Sequence, residues 1–248
     1  MWLDRVIRAA ELRDRVKGKR RRSVHSLSES IINAKSRGMN PIIAELKRAS
    51  PSGFSSNLDA RKYVKFVESA GAAALSVITE PVAFNGSYSL LRRVSSEVNI
   101  PVLMKDFTVT EGQVEDAYVL GADAVLLIVR VINDSERLKG LYSMAQSMGM
   151  ESIVEVHSEE DLELALNLKP RIIGVNARNL QTLEMNFEQQ ERILSALPGN
   201  ILRVAESGIE SVERINRLKE LGADGFLIGT SLMKSPEMIF KYLGANKN

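Results

Sequence analysis

The sequence predicts an α/β fold, a single (β/α)8 TIM barrel with an N-terminal helical extension. Eight short apolar runs alternate with amphipathic segments from Pro41 onward. Near-continuous apolar runs are typical of parallel strands covered by helices, and a chain of 248 residues matches the usual size of one barrel. The glycine-rich fingerprint of a dinucleotide-binding sheet is missing after the first run, which disfavours an open doubly wound fold. We therefore predict one domain over residues 1–248.

The strands are assigned in chain order from their sequence. They are PIIAELK, AALSVIT, PVLMKDF, DAVLLIV, SIVEV, RIIGVN, ILRVAE and DGFLIG, each followed by a polar, helix-like segment. The phrases SAGAAAL, VLGADAV and ELGADGF repeat the step from helix to strand. In these phrases Gly71, Gly121 and Gly222 stand where C-terminal helix caps are expected.

The first forty residues are surplus to a minimal barrel. Two helix-like segments, WLDRVIRAAELRDRV and SLSESIINAKSRG, flank the basic run KGKRRR at residues 17–22. We predict that residues 1–40 form a helical extension over the catalytic face. The basic run is interpreted as a solvated linker between two helices rather than as a nucleic-acid site.

Composition excludes several kinds of chemistry. There is no cysteine, so disulfides, thiolate metal sites and cysteine nucleophiles are excluded, and two histidines disfavour a histidine-rich metal centre. The net charge of +2 is too even to require a nucleic-acid or membrane partner. No apolar run approaches the roughly 20 residues of a membrane span, and no secretory signal is recognised. We expect a cytoplasmic protein whose chemistry relies on lysine, glutamate and asparagine side chains.

Charged residues end four of the predicted strands. In a parallel barrel the carboxyl ends of the strands form the catalytic face. Structural ion pairs at the barrel rim are the alternative, but five desolvated charges on one face favour acid and base catalysis. Side chains alternate along a strand, so the first two share one face. The five residues are Glu45, Lys47, Lys105, Glu155 and Glu206.

The last two strands carry a second signal. Gly208 and Gly229 follow apolar runs and precede helix-like segments, and Thr230 and Ser231 come next after Gly229. Loops after strands seven and eight are the recurrent phosphate site of this fold, where backbone N–H groups and hydroxyls bind the anion. Ordinary turn glycines are the alternative for either motif alone. Together the two motifs predict phosphate binding.

The aromatic residues of the remaining loops suggest a flat apolar substrate, and the polar residues suit an anionic group. Phe84 and Phe107 lie after strands two and three, and their alternative role is packing between loops. Asn176 and Arg178 follow strand six and suit an oxyanion or carboxylate. His157 is a conceivable acid or base, although no aspartate partner is evident in the sequence. The loop KRASPSGFSS after strand one, with its proline and glycine, is a candidate mobile lid.

These motifs together resemble indole-3-glycerol phosphate synthase. The resemblance covers nearly the whole chain and rests on AELKRASPSG, FNGS, LMKDF, DAVLLIV, the glutamate of IVEV, GVNARNL, VAESGI and FLIGTSLM. It implies the step of tryptophan biosynthesis that converts 1-(2-carboxyphenylamino)-1-deoxyribulose 5-phosphate to indole-3-glycerol phosphate, carbon dioxide and water. It also implies that no metal or organic cofactor takes part.

The resemblance further implies a role for each site residue. Lys105 would be the principal general acid, and Glu155 would orient it or relay its proton. Glu45 and Lys47 would assist dehydration and bind the anthranilate carboxylate. By the same resemblance, polar groups of the substrate would contact Ser50, Asn176 and Arg178, and its hydroxyl-bearing chain would contact Glu206 and Ser207. The phosphate would be bound by Gly208, Gly229 and Thr230. The anthranilate ring would be enclosed by Trp2, Phe84, Phe107, Leu126 and Leu180.

Two positions depart from the family pattern. Ala177 stands where asparagine or serine is usual, which puts one substrate contact in doubt, and Thr230 replaces a common serine but keeps the hydroxyl. Other readings remain open. One is a sugar-phosphate isomerase on the same barrel, such as phosphoribosylanthranilate isomerase, but that enzyme uses a cysteine and an aspartate as its acid and base, and this chain has no cysteine. The other is a non-catalytic phosphate-binding protein. We expect a small-molecule substrate, a monomer, and at most loose association with other enzymes of tryptophan biosynthesis.

Overall fold

A computed structural model describes residues 2–244 of the chain. Eight parallel strands close into a barrel in chain order, with the last strand hydrogen-bonded to the first. The prediction of a (β/α)8 barrel is confirmed. The strands are β1 Ile42–Leu46, β2 Ala74–Ile78, β3 Val102–Lys105, β4 Ala124–Ile128, β5 Glu151–Val156, β6 Ile172–Asn176, β7 Leu202–Glu206 and β8 Gly225–Ile228.

Helices surround the barrel. Polar caps define many of their first turns: Thr110 and Gln113 form a reciprocal capping box at the start of the helix Glu111–Leu120 (α5). Gly71 ends the helix Ala60–Ala70 (α3) and Gly121 ends α5, both in the left-handed conformation, as predicted. The helices are α1 Trp2–Glu11, α2 Leu27–Ser36, α3 Ala60–Ala70, α4 Tyr88–Glu97, α5 Glu111–Leu120, α6 Val129–Ile132, α7 Ser135–Ser147, α8 Glu159–Leu166, α9 Phe187–Ala196, α10 Val212–Glu220, α11 Thr230–Lys234 and α12 Ile239–Tyr242, with a 3-10 turn at Pro236–Met238.

Alternation along the strands separates two apolar layers. One set of side chains packs outward against the helices, and the other fills the barrel interior. Ile43 and Ile153 lie in the interior layer. Glu45 and Glu155 are two residues further along the same strands, so they face the same interior nearer its carboxyl end. The barrel is therefore apolar at its base and charged at its catalytic mouth.

The two helices of the extension lie at opposite ends of the barrel. Trp2 of α1 packs beside Phe84 and Phe107 at the catalytic end. In contrast, α2 buries Leu27 and Ile31 against the interior layer at the opposite end. The expectation that residues 1–40 as a whole cover the catalytic face is wrong for α2. Its apolar face is needed at the base of the barrel, where it keeps water from the interior side chains.

Polar bonds attach α2 to the amino ends of the strands. The backbone N–H of Ser28 donates to Glu151 at the start of β5, over 2.9 Å. The hydroxyl of Ser30 donates to the carbonyl of Ala73, just before β2, over 2.5 Å. These bonds fix α2 at the base of the barrel.

The basic run between the helices is only partly solvated. Arg20 and Arg22 form ion pairs with the buried carboxylate of Asp123, at 2.6 and 3.2 Å. Arg20 also donates to the carbonyl of Ala122 over 2.6 Å, and its side chain is 5% exposed. The interpretation of residues 17–22 as a solvated linker is therefore wrong for these two arginines. They bind the connecting segment to the barrel just before β4.

Candidate active site

One pocket opens at the carboxyl ends of the strands, and every strand contributes to its lining. The loops after the strands and Trp2 of α1 complete its walls. All the residues that the sequence predicts for catalysis, substrate binding and phosphate binding line this pocket: Trp2, Glu45, Lys47, Ser50, Phe84, Lys105, Phe107, Leu126, Glu155, Asn176, Arg178, Leu180, Glu206, Ser207, Gly208, Gly229 and Thr230.

A buried network of charges lies on the pocket floor. The ammonium of Lys105 donates a hydrogen bond to Glu206 and lies 3.5 Å from Oε2 of Glu155. The other oxygen of Glu155 accepts from the amide of Asn176 over 3.2 Å. His157 approaches the same oxygen with Nε2 at 3.1 Å. Lys105 is thus shared by two carboxylates, one of which has further polar partners.

The second lysine joins this floor to the loop after β8. Nζ of Lys47 lies 3.2 Å from Oε1 of Glu45 and donates to Oγ1 of Thr230 over 3.0 Å. Glu45 lies in β1 and Lys47 directly follows it. Because they are two residues apart, both side chains project into the pocket, as the alternation predicts. The cation therefore stands between a carboxylate and the predicted phosphate loop.

Burial and charge give the floor residues unlike proton affinities. Burial alone would lower the pKa of Lys105, but Glu206, Glu155 and Glu45 together raise it above the ordinary lysine value. Burial opposes ionisation of Glu155, yet Lys105, His157 and Asn176 hold its pKa well below the usual range. For Glu206, burial and the nearby Glu155 outweigh Lys105 and raise the pKa to about 8. At neutral pH the floor holds an ammonium, a carboxylate and a carboxylic acid.

Two glycines make room for these carboxylates. A Cβ atom at Gly174 would lie 2.3 Å from Oε1 of Glu206. A Cβ atom at Gly229 would lie 2.1 Å from Oε1 of Glu45 and 3.2 Å from Nζ of Lys47. Gly174 is a requirement that the sequence reasoning missed. Gly229 shapes the acid and base cluster in addition to the turn before α11.

The turn after β7 has an unusual backbone. Ser207 and Gly208 both have φ of 68°, in the left-handed region, which serine rarely adopts. A Cβ atom at Gly208 would lie 2.3 Å from the ring of Phe187. Ser207 thus has a strained backbone conformation at a position that lines the pocket.

Three aromatic rings form one wall of the pocket. The ring centroid of Trp2 lies 6.4 Å from the ring centroid of Phe84 and 6.1 Å from that of Phe107, and both pairs are edge-to-face. Phe84 and Phe107 are 6.4 Å apart. These three residues, from α1 and from the loops after β2 and β3, are hereafter called the aromatic wall. The wall gives the pocket an apolar side near its charged floor.

Sequence reasoning missed two further acidic residues at the pocket. Glu80 lies two residues beyond β2 and lines the pocket, so the same strand-end signal could have found it. Asp106 directly follows Lys105, is buried, and accepts hydrogen bonds from Arg13 and Thr79. Its arginine partner comes from the segment after α1, which no local pattern indicates. Asp106 thereby ties the extension to the catalytic end of β3.

His157 and Ala177 also differ from their sequence interpretation. The backbone N–H of His157 donates to Asp161 over 2.8 Å, so an aspartate does stand beside this residue. Ala177 is buried and is not among the residues that line the pocket. Its backbone instead joins neighbouring elements, donating to the carbonyl of Glu206 and accepting from Asn186. A polar side chain at position 177 is therefore not lost from the pocket lining, because Ala177 does not line the pocket.

A parallel barrel with half-buried lysines and buried carboxylates at its mouth defines an acid-base barrel enzyme. The family model of indole-3-glycerol phosphate synthase matches residues 3–241. The indole-3-glycerol phosphate synthase of Sulfurisphaera tokodaii is 48% identical over 96% of both chains. That of Bacillus cereus is 45% identical over 88% of this chain and 84% of its own. The chain therefore belongs to the indole-3-glycerol phosphate synthase family, the carboxy-lyases of tryptophan biosynthesis, and the resemblance found in the sequence is confirmed.

A solved structure shares the fold without close sequence similarity. The N-acetylmannosamine-6-phosphate 2-epimerase from Clostridium perfringens superposes with a TM-score of 0.64 at 13% identity. The match covers 91% of this chain and 98% of the epimerase. Such a likeness supports the barrel architecture alone. Within residues 2–244, no helix has both the length and the apolar character to cross a membrane.

Proposed function

We propose that Lys105, Glu155 and Glu206 carry out the acid-base steps of indole ring closure on 1-(2-carboxyphenylamino)-1-deoxyribulose 5-phosphate. The observation that carries the proposal is the position of the Lys105 ammonium, which is shared by two buried carboxyl groups whose pKa values are shifted in opposite directions. The reaction needs proton donors and a base close to one carbon atom. These three side chains supply both.

Ring closure begins when the aromatic carbon that bears the carboxylate attacks the ketone of the sugar chain. Negative charge develops on the ketone oxygen, and Lys105 donates a proton to it. Because the ammonium is buried and oriented by Glu155, it needs little reorganisation as the charge develops. Loss of carbon dioxide then restores aromaticity to the six-membered ring.

Dehydration completes the indole. The hydroxyl formed from the ketone takes up a second proton and leaves as water, and the adjacent CH2 group loses a proton to Glu45 as the carbon–carbon double bond of the indole forms. Glu206, with its pKa raised to about 8, carries this second proton at neutral pH. Lys105 donates a hydrogen bond to Glu206, and this bond provides a route by which Glu206 regains a proton. We assign Glu206 to the hydroxyl-bearing chain and Glu45 to assisting this step. Asn176 fixes the Glu155 carboxylate throughout.

Opposite ends of the pocket hold opposite ends of the substrate. Gly208, Gly229 and Thr230 bind the phosphate, and the aromatic wall with Leu126 and Leu180 encloses the anthranilate ring. Lys47, bonded to Thr230, is close enough to this loop to contact the phosphate as well as the anthranilate carboxylate that the resemblance implies. Holding both ends brings the two reacting carbons together, which lowers the entropic part of the barrier.

Polar side chains at the rim complete the proposed site. Ser50 and Arg178 contact the polar groups of the substrate, and Ser207 contacts its hydroxyl-bearing chain; all three line the pocket. The guanidinium of Arg178 donates to the carbonyl of Leu183 over 2.8 Å, which limits its movement. A forked cation held in this way suits recognition of a carboxylate.

The activity is tested with the purified full chain and the carboxyphenylamino sugar phosphate, without added metal. The expected result is a fluorescent indole product that accumulates with saturable kinetics. Absence of product at any substrate concentration would contradict the proposal.

We further propose that the chain acts as a cytoplasmic monomer of one domain. Its phosphorylated substrate is too polar to cross a membrane unaided, and sedimentation at working concentration tests the monomeric state.

A further inference from the structure

We propose that Glu80 is a positioning residue that sets the aromatic wall and thereby the fit of the substrate's ring. The inference rests on the proposed function, because the ring is assigned to that wall. Glu80 does not need to touch the substrate for this role. It acts through the backbone of the loop at residues 81–86, which we call the β2 loop.

The carboxylate of Glu80 is buried and is bound by backbone alone. The residue is 1% exposed. One oxygen accepts from the N–H of Val82 over 2.6 Å, and the other accepts from Ala83 and Phe84 over 2.7 and 2.9 Å. Within residues 2–244, no lysine, arginine or histidine forms an ion pair with it. Three consecutive N–H groups therefore compensate for the charge in place of a cation.

The rest of the β2 loop is folded tightly around this carboxylate. The N–H of Gly86 donates to the carbonyl of Glu80 over 2.8 Å, and Asn85 adopts a left-handed φ of 51°. A Cβ atom at Gly86 would lie 2.4 Å from the carbonyl oxygen of Ile78. The loop thus has little room to rearrange, and the Glu80 carboxylate is the centre of its hydrogen bonding.

Phe84 transmits this order to two parts of the pocket. Its ring packs against both Trp2 and Phe107 in the aromatic wall. Its carbonyl accepts a hydrogen bond from the N–H of Ala49 over 3.0 Å, in the loop after β1 that carries Ser50. A shift of the β2 loop would therefore move both the wall and the neighbouring loop.

A carboxylate is required because only it accepts at both oxygens. In Glu80→Gln the side chain keeps its shape but presents an NH2 group to at least one backbone N–H. That N–H group loses its acceptor and the loop must shift. In Glu80→Asp the charge remains, but the shorter side chain cannot reach all three donors at their present distances.

Kinetics of the full chain test the proposal. We expect Glu80→Gln to raise KM for the carboxyphenylamino sugar phosphate roughly tenfold and to lower kcat much less, because ring placement is lost while the acid-base floor is intact. Binding of inorganic phosphate should be unchanged, since the phosphate loops are separate from the β2 loop. The matched control is Glu163→Gln on the exposed face of α8, which should leave both constants unchanged.

Trp2 provides a measurement that does not depend on turnover. It is the only tryptophan, and it lies against Phe84. Glu80→Gln should shift its emission to longer wavelength while the far-ultraviolet circular dichroism stays that of the parent. Wild-type emission together with a wild-type KM in this variant would overturn the proposal. If Glu80→Gln fails to fold, Glu80→Asp is tested by the same two measurements and the same criterion.

A double-mutant cycle tests whether Glu80 acts through Phe84. Phe84→Leu alone should raise KM, and adding Glu80→Gln should raise it by less than the product of the two separate effects. Independent, multiplying effects would contradict the proposed route. Failure of the wild-type chain to turn over substrate would refute the proposed function instead, and the Trp2 emission would still decide the role of Glu80.

Discussion

Glu206 is the residue whose protonation state most affects its neighbours. Its pKa, raised to about 8 by burial and by Glu155, leaves it uncharged beside the Lys105 ammonium near neutral pH. When Glu206 ionises, Lys105 is held by two carboxylates, and the charge of Glu206 raises the pKa of Lys105 and makes it a weaker acid. In the proposed mechanism, turnover therefore depends on the proton that Glu206 retains. The two glutamates and the lysine titrate as a coupled group.

This coupling predicts an alkaline decline in turnover. We expect kcat to fall as the pH rises through about 8, because Glu206 ionises there while Lys105, with its raised pKa, stays protonated. In Glu206→Gln, which cannot ionise, kcat should be lower but should lose this alkaline limb. Measurement of kcat from pH 6 to pH 10 checks the prediction, and an unchanged limb in the variant would assign it to another group.

The same residue has a predictable effect on stability. Its folded pKa lies above the ordinary 4.5, so the free energy of unfolding loses a contribution as the pH rises from 4.5 to about 8. Glu206→Gln removes this loss. Denaturant unfolding of both chains should therefore show the variant gaining relative stability across that interval.

At the scale of elements, the junction between β8 and α11 serves two functions at once. It forms the turn assigned to the phosphate, and at Gly229 it leaves space for the Glu45 carboxylate and the Lys47 ammonium. Alternation of strand residues predicted that Glu45 and Lys47 face the pocket. It could not predict their contact with β8, because that contact depends on barrel closure.

Substitution of Gly229 should therefore disrupt both functions. In Gly229→Ala the added methyl group would lie 2.1 Å from Glu45, so we expect weaker phosphate binding and at least a tenfold loss of kcat/KM. The control is Gly140→Ala within α7, where no atom lies within 4 Å of the added carbon. That change should raise the free energy of unfolding by about 0.5–1 kcal/mol and leave turnover unchanged. Equal kinetics for the two variants would contradict the steric argument.

At the scale of the whole molecule, the extension links the two ends of the barrel. Its first helix supplies Trp2 to the pocket, its second closes the base, and Arg20 and Arg22 bind the connecting segment to Asp123. Asp123 also accepts from the N–H groups of Val102 and His25. A single buried carboxylate thus holds the extension to β3 and to the start of β4.

Loss of the Asp123 charge should weaken the whole fold. Asp123→Asn would leave two arginines near a neutral amide, and we expect the free energy of unfolding to fall by about 3–5 kcal/mol. The control is Glu159→Gln, which removes the exposed pair with Arg192 and should cost about 0–1 kcal/mol. Chemical denaturation compares the two variants. Similar losses in both would contradict a structural role for the basic run.

The sequence was sufficient for the barrel and for the lining of its pocket. Apolar runs and strand-end charges are local signals, so they located Lys105 and Glu155 directly. Position along the chain could not reveal that Arg20 reaches Asp123 or that α2 lies at the base, because both depend on contacts about 100 residues apart or more. Nor could it assign a proton to Glu206 rather than to Glu155. That difference arises from which carboxylate has Asn176 and His157 as neighbours.

The acid role of Lys105 is the central claim, and one substitution tests it most directly. Lys105→Ala is compared with Lys139→Ala on the exposed surface of α7, with turnover of the carboxyphenylamino sugar phosphate and binding of inorganic phosphate measured for both. We expect Lys105→Ala to lose turnover by at least about a thousandfold, the upper part of the range for a general acid, and to keep phosphate binding. Lys139→Ala should match the parent in both. Near-normal turnover of folded Lys105→Ala would contradict the mechanism.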